Sequence, residues 1–333
     1  MNRTAVTPFE EVLAAGGGRV RALLDAVERS LADATADHGE ALAAAAGDTL
    51  AAGGKRLRPL LVFICGEGGR RHAGSGSKLV RAAAAVELIH MATLVHDDVI
   101  DSAPVRRGRP TVYATSGRGT ATASGDFLFS RAFALLSANG DRAQVRVLSD
   151  ACLDLARGEL VQREDRYSAQ VTVERYLERC RLKTASLFAA ACRLGALAGD
   201  GDGDETVTAL GRYGDRVGLA FQVLDDVLDV AGEVERTGKE RGTDLLEGTS
   251  TLPLILAGRA DPELESLELQ TVKTRAQAER ICDRIAATGA VDEARDHAAA
   301  LVARAKSELE GAVEPDLEEL LTLVADRIVE RYS

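Results

Sequence analysis

The chain has 333 residues, no tryptophan, 7 prolines, 5 cysteines and a formal net charge of −11. Net acidity argues against general affinity for nucleic acid or anionic lipid. Cys65, Cys152, Cys180, Cys192 and Cys282 are scattered, with no C-x-x-C pair or zinc spacing. Met1-Asn2-Arg3-Thr4 leads into no signal-like apolar stretch, so the expected location is the cytoplasm. Abundant alanine and leucine with little β-alternation predict a single all-α domain over 1–333.

Residues 1–20 end in Ala14-Ala15-Gly16-Gly17-Gly18 and read as a loose arm. Helical patterning then runs to about residue 52 and stops at Gly53-Gly54, and 66–77 is a polar, glycine-rich loop. A long helix is predicted from about residue 78 to 101, halted before Pro104. Glu87 and His90 interrupt its apolar run, so no stretch is expected to reach the roughly 18 residues of a membrane span. The Pro-, Gly-, Thr- and Ser-rich stretch 104–125 reads as a long ordered loop, with the next helix starting near Gly125-Asp126. Turns are predicted at Asn139-Gly140-Asp141 and at 200–204. The second alternates Asp and Gly like a calcium loop but lacks the glutamate that closes one. Helices resume over 205–230, break over 232–248 and continue beyond Pro253, with no repeat of solenoid period.

Two clusters of one form stand out, Asp97-Asp98-Val99-Ile100-Asp101 and Asp225-Asp226-Val227-Leu228-Asp229, 128 positions apart. On a helix, residues four apart share a face, so Asp97 pairs with Asp101 and Asp225 with Asp229. One such cluster is more often a solvated face than a metal site. Two of them, preceded by the largely apolar Leu94-Val95-His96 and Phe221-Gln222-Val223-Leu224, point to a cleft wall more than an outer face, with six carboxylates converging on one cavity. Converging carboxylates are tolerable only with cations, and magnesium suits a few carboxylates completed by substrate phosphates.

Basic residues bracket these clusters: Lys55, Arg56 and Arg58 beside Gly53-Gly54; Arg106, Arg107 and Arg109; Lys183; and Lys239. Arginine forks and lysine ammonium groups suit polyphosphate. Taken singly, each basic cluster is more often a solvated turn. Acidic and basic sets together imply two anionic substrates, one held through magnesium and one held directly.

In order and spacing over roughly residues 20–310, the chain resembles the trans-isoprenyl diphosphate synthases, or polyprenyl synthetase family. The resemblance is carried by 53–59, 90–101, 106–111, Lys183-Thr184-Ala185, 221–229 and 238–253. It implies an all-helical bundle around a deep cavity, usually a homodimer, joining an allylic diphosphate to isopentenyl diphosphate with release of diphosphate. It further implies that Asp97 and Asp101 bind magnesium on one wall and Asp225 on the other, about three ions in all. Asp98, Asp226, Asp229 and Asp244 would orient the metal waters. Lys55, Arg58, His90 and Arg107 would hold isopentenyl diphosphate. Arg106, Lys183, Gln222 and Lys239 would hold the allylic diphosphate, with Thr184 near the reacting carbon. Thr249 stands where the family often has lysine.

Five positions before Asp97, about 7.5 Å down its helix, lies Ala92, with Thr93 beside it. Bulky residues there cap short products in the family, and their absence implies a product beyond twenty carbons, the alternative being geranylgeranyl or farnesyl diphosphate. Ile89 and Val86 lie deeper. Phe129, Phe133 and Leu136 on the facing helix are candidates for the floor, with ordinary core packing the plainer reading. A terpene cyclase would have little use for two basic clusters, a non-catalytic subunit would be expected to lose aspartates, and a di-iron bundle needs two Glu-x-x-His pairs where only Glu87-Leu88-Ile89-His90 occurs.

Overall fold

The computed structural model describes residues 8–15, 17–36, 47, 49–50, 56–67, 76–106, 108–168, 170–199, 203–232 and 241–330. Two helices open the chain, α1 (Pro8–Ala15) and α2 (Gly17–Ala36). They replace most of the expected arm: Val12 and Val20 are buried, and α1 packs on the last helix of the chain. Next come α3 (Leu57–Glu67) and α4 (Gly76–Ile100). Asp101 continues the last turn of α4 through an N–H bond to the Asp97 carbonyl at 2.8 Å.

By length and composition α4 is apolar enough to cross a membrane, contrary to the sequence expectation. Its apolar residues instead face other helices on nearly every side, from Leu79 to Val99, as suits the central helix of a bundle.

A two-residue hairpin follows, β1 (Val105–Arg106) against β2 (Arg109–Pro110), and then α5 (Val112–Ser137). The stretch expected as a loop to residue 125 is therefore mostly helix. Thr111 caps it, accepting from the Ala114 N–H, while Gly117 at φ 80° kinks it. Packing along α4 overrides the weak helix propensity of its Ser, Thr and Gly residues.

The other elements are α6 (Arg142–Asp165), α7 (Val173–Cys180), a π-helical turn (Arg181–Ala185), α8 (Ser186–Ala198), α9 (Asp204–Ala231) and α10 (Thr243–Glu247). The chain closes with α11 (Leu252–Gly258), α12 (Pro262–Glu265), α13 (Arg275–Ala287), α14 (Ala290–Ser307) and α15 (Pro315–Glu330). Most of the expected turn at 200–204 lies outside the described residues.

Helix α8 packs against both α4 and α9 and so sets the spacing of the two aspartate-bearing helices. Gly218 of α9 permits that approach: a Cβ there would lie 3.0 Å from the Cβ of Phe188 on α8 and 2.6 Å from the Cα of Ala185 just before that helix.

Candidate functional site

The first aspartate cluster ends α4. Asp98 is buried, and its carboxylate accepts from Arg106 Nε at 2.6 Å. Asp97 lies 3.7 Å from Lys183 Nζ, which also donates to Glu159 of α6 at 2.5 Å. Burial pushes the Asp97 carboxyl up to about 6 against the pull of Lys183. Burial also works against the Lys183 ammonium, but Asp97 and Glu159 outweigh it and hold that group above its ordinary value.

Lys183 and Thr184 sit in the π-helical turn between α7 and α8, a widened turn that breaks the helical register where these polar side chains are presented. Gly158 of α6 makes room for it: a Cβ there would lie 2.7 Å from the backbone nitrogen of Lys183.

From Thr184 a line of hydrogen bonds reaches the second cluster, on α9. Thr184 Oγ1 donates to Gln222 Oε1 at 2.7 Å, and Gln222 Nε2 donates to Asp226 Oδ1 at 2.7 Å. The other Asp226 oxygen accepts from the Tyr176 hydroxyl at 2.7 Å. Burial raises the Asp226 carboxyl to about 7 even against these two donors. Asp229 caps α10, taking the Thr243 N–H at 3.1 Å and the Asp244 N–H at 3.2 Å. Asp244 is pushed well up by desolvation, then by Asp229 and Asp226. Glu247 is raised by desolvation and then by Asp101 of the first cluster and, more weakly, Asp229 of the second, so both acidic walls act on one region.

Among the described residues no three Asp, Glu, His or Cys side chains form a ready-made ion cage. An open pair of walls, completed by phosphate oxygens and water, has that character. Carboxylates pushed upward by desolvation carry a charge cost that divalent cations would relieve, so the donor set fits magnesium.

Of the residues nominated from sequence, Asp97, Asp98, Asp101 and Arg106 lie on the first wall; Gln222, Asp225, Asp226, Asp229 and Asp244 on the second; and Lys183 and Thr184 between them. Several nominees for ligand contact also have partners inside the protein: besides Lys183, Gln222 and Asp226, Arg106 pairs with Asp98, and Asp229 holds the start of α10. Arg58 of α3 rests over the Phe188 ring at 4.6 Å. Thr249 donates its backbone N–H to the Asp244 carbonyl at 2.8 Å. Lys55, Arg107 and Lys239 lie outside the described residues.

Partly accessible positions on α4 form the stripe His90, Thr93, Leu94 and Asp97, while Ala92, Ile89 and Val86 are fully buried. Phe129 stacks on His96 at 5.7 Å, which sets it level with the first cluster. Phe133, a turn on, falls about 6 Å deeper in the antiparallel pair.

Sequence reasoning missed four residues: Glu159, Tyr176, Arg179 and Glu247. Arg179 is buried and donates to the Ser250 carbonyl at 2.6 Å, tying α7 to the segment after α10. None belongs to a spaced motif. The glycine before Glu159 and the position of Tyr176 seven residues before Lys183 were the available signals.

Comparison with known proteins gives the chain a family and relatives. The model of the family described as polyprenyl synthetase matches residues 39–288. The chain is 42% identical over 234 residues to heptaprenyl diphosphate synthase component 2 of Geobacillus stearothermophilus, covering 70% of this chain and 72% of that one. It is 37% identical over 317 residues to the short chain isoprenyl diphosphate synthase of Methanothermobacter thermautotrophicus, covering 92% and 94%. Among solved structures, polyprenyl synthase from Caulobacter crescentus, complexed with calcium and isoprenyl diphosphate, superposes with a TM-score of 0.88 at 35% identity, covering 96% and 98%.

Proposed function

The chain belongs to the polyprenyl synthetase family of trans-prenyltransferases, and from that premise we propose a magnesium-dependent head-to-tail condensation that carries the product beyond twenty carbons. One observation carries the reading: two Asp-Asp-x-x-Asp helix ends, on α4 and α9, joined by the line Asp97–Lys183–Thr184–Gln222–Asp226.

Asp97 and Asp101 on one side and Asp225 on the other would hold the ions, about three on the family pattern. When bound, divalent ions neutralise the departing diphosphate as Lewis acids. Lys183, poised between Asp97 and Glu159, turns its ammonium to the allylic diphosphate, with Arg106 and Lys239 contributing further positive charge. Gln222 and Thr184 hold each other at the level of the reacting carbon. Asp98, Asp226 and Asp244 would orient the water carried by those ions. Asp229 contributes indirectly, by fixing the start of α10 beside Asp244.

Arg58 and His90, with Lys55 and Arg107, receive isopentenyl diphosphate, so its double bond approaches the allylic cation in a fixed orientation. The apolar faces of α4 and α9 exclude the water that would quench the cation. The departing diphosphate takes the final proton.

Product length is read from α4. Ala92 is small, which leaves the level below the aspartates without a bulky cap, and one relative is named for heptaprenyl diphosphate. Another is named short chain, and geranylgeranyl or farnesyl diphosphate is the alternative. Ala92 and Ile89 are sealed by neighbours, so a long tail would enter by displacing side chains, and the one proposed to give way is Phe133, partly buried against the core. We also assign the exposed pair Leu153 and Leu160, seven apart on α6, to contact with a second copy in a homodimer. The name "component 2" carried by one relative makes a heteromeric partner the competing outcome.

The test is incubation with magnesium, labelled isopentenyl diphosphate and five-, ten-, fifteen- or twenty-carbon allylic diphosphates, with products resolved by length. Elongation past twenty carbons that disappears in Asp97→Ala supports the proposal. Products that stop at fifteen or twenty overturn its chain-length part. No condensation from any starter overturns it for the chain acting alone.

A further inference from the structure

Three cations, Lys55, Arg56 and Arg58, read in sequence as one anion-binding cluster, but the structure divides the two that are described. Arg56 stands at the head of α3 with φ 49°, a left-handed conformation that non-glycine residues seldom adopt. Its carbonyl accepts from the Leu60 N–H at 2.9 Å, so this residue starts the helix. Its guanidinium forks onto both oxygens of Glu28 of α2 at 2.5 and 3.2 Å, and its Nη1 donates to Glu87 of α4 at 2.7 Å. Glu87 is 3% exposed, beside the fully buried Val86, Leu88 and Ile89. One side chain thus ties α2, α3 and α4 together.

A strained backbone persists only where its surroundings over-determine it. A carboxylate buried in an apolar layer needs a partner for the same site to be stable. The Arg56–Glu87 pair meets both demands, and its charges satisfy each other. Burial works against the Arg56 cation, while Glu28 and Glu87 more than restore it. Arg58, two residues on, turns to a different wall. Its guanidinium carbon lies 4.6 Å from the centroid of Phe188, a fully buried ring of α8 packed against Phe221 at 5.4 Å. Phe221 adjoins Gln222.

We propose that Glu87, acting through Arg56, is a positioning residue for isopentenyl diphosphate: the buried pair fixes the head of α3 so that Arg58 is presented against Phe188 toward the cavity. This rests on the assignment of Arg58 to isopentenyl diphosphate made above. Glu87 lies ten residues before Asp97, about 15 Å down α4, too far to touch the aspartate walls. Its removal should therefore spare the allylic site.

The experiment is steady-state kinetics of Glu87→Gln and Arg56→Lys with each substrate varied in turn, beside wild type and with thermal melts of each protein. In both variants KM for isopentenyl diphosphate should rise about tenfold or more, while KM for the allylic diphosphate and kcat stay within about threefold. The double variant should be no worse than the more affected single one, because the two side chains act as a unit. An unchanged KM for isopentenyl diphosphate in a folded variant, or both KM values rising together, overturns the proposal. Arg56→Lys keeps the charge and decides the matter in the same way where Glu87→Gln does not fold. Absence of condensation by wild type would strike the functional reading instead, and is measured in the same series.

Discussion

Asp97→Asn should stabilise the metal-free protein at pH 8 while abolishing its activity. The Asp97 side chain is 20% exposed, and burial lifts its carboxyl from 3.8 to about 6. The native state therefore binds more protons than the unfolded chain between those values. The stability this contributes is fully present below about pH 4 and is lost as pH rises through about 6. The difference is about 2 units, or about 3 kcal/mol at roughly 1.4 kcal/mol per unit. Asparagine has the same shape and no charge, so it removes that cost at high pH, and Lys183 keeps its bond to Glu159 at 2.5 Å. In a chain of this size the gain is on the order of 5 °C in Tm. Thermal melts of both proteins in chelator at pH 4.5, 6 and 8 should show the gap in favour of the variant opening as pH rises. Magnesium with inorganic diphosphate should then close or reverse it, because ligand binding stabilises wild type more. A gap independent of pH, or a variant less stable than wild type at pH 8, would refute the reasoning.

Tyr176→Phe removes a buried donor to Asp226 and should cost about 1.5–3 kcal/mol of stability. Because that donor lowers an Asp226 pKa already near 7, the acidic limb of the kcat–pH profile should also move to higher pH. Gly158→Ala places a Cβ 2.7 Å from the Lys183 backbone nitrogen and should lower kcat on the order of tenfold by displacing the π-helical turn, with KM for isopentenyl diphosphate little changed. Ala92→Phe should shorten the product and Phe133→Ala should lengthen it, both read by chromatography of dephosphorylated products.

The elements read most clearly from sequence were those governed by local chemistry. Helix α4 was legible from its long apolar run and the following Pro104, and both aspartate clusters from their four-residue spacing. Helix α5 was hidden because Thr, Ser and Gly over 115–124 have poor intrinsic propensity, and only packing against α4 decides the matter. Tyr176 and Asp226 meet across 50 positions, and Lys183 meets Glu159 across 24, contacts that no periodicity announces. Arg56 shows the converse error. Its neighbours suggested an anion contact, whereas a left-handed backbone and a carboxylate buried in a distant helix turn it into an anchor.

If the α4 and α9 aspartates bind a diphosphate jointly, through cations, neither wall should suffice without the other. Calorimetric titration of wild type, Asp97→Asn and Asp225→Asn with a non-ionisable allylic thiodiphosphate, in magnesium and in chelator, tests this most directly. Wild type should bind the analogue only with magnesium, and either substitution should weaken binding on the order of a hundredfold, since each wall depends on the other through the shared ligand. Equal binding in chelator, or loss of affinity from one substitution alone, would contradict a two-walled metal site.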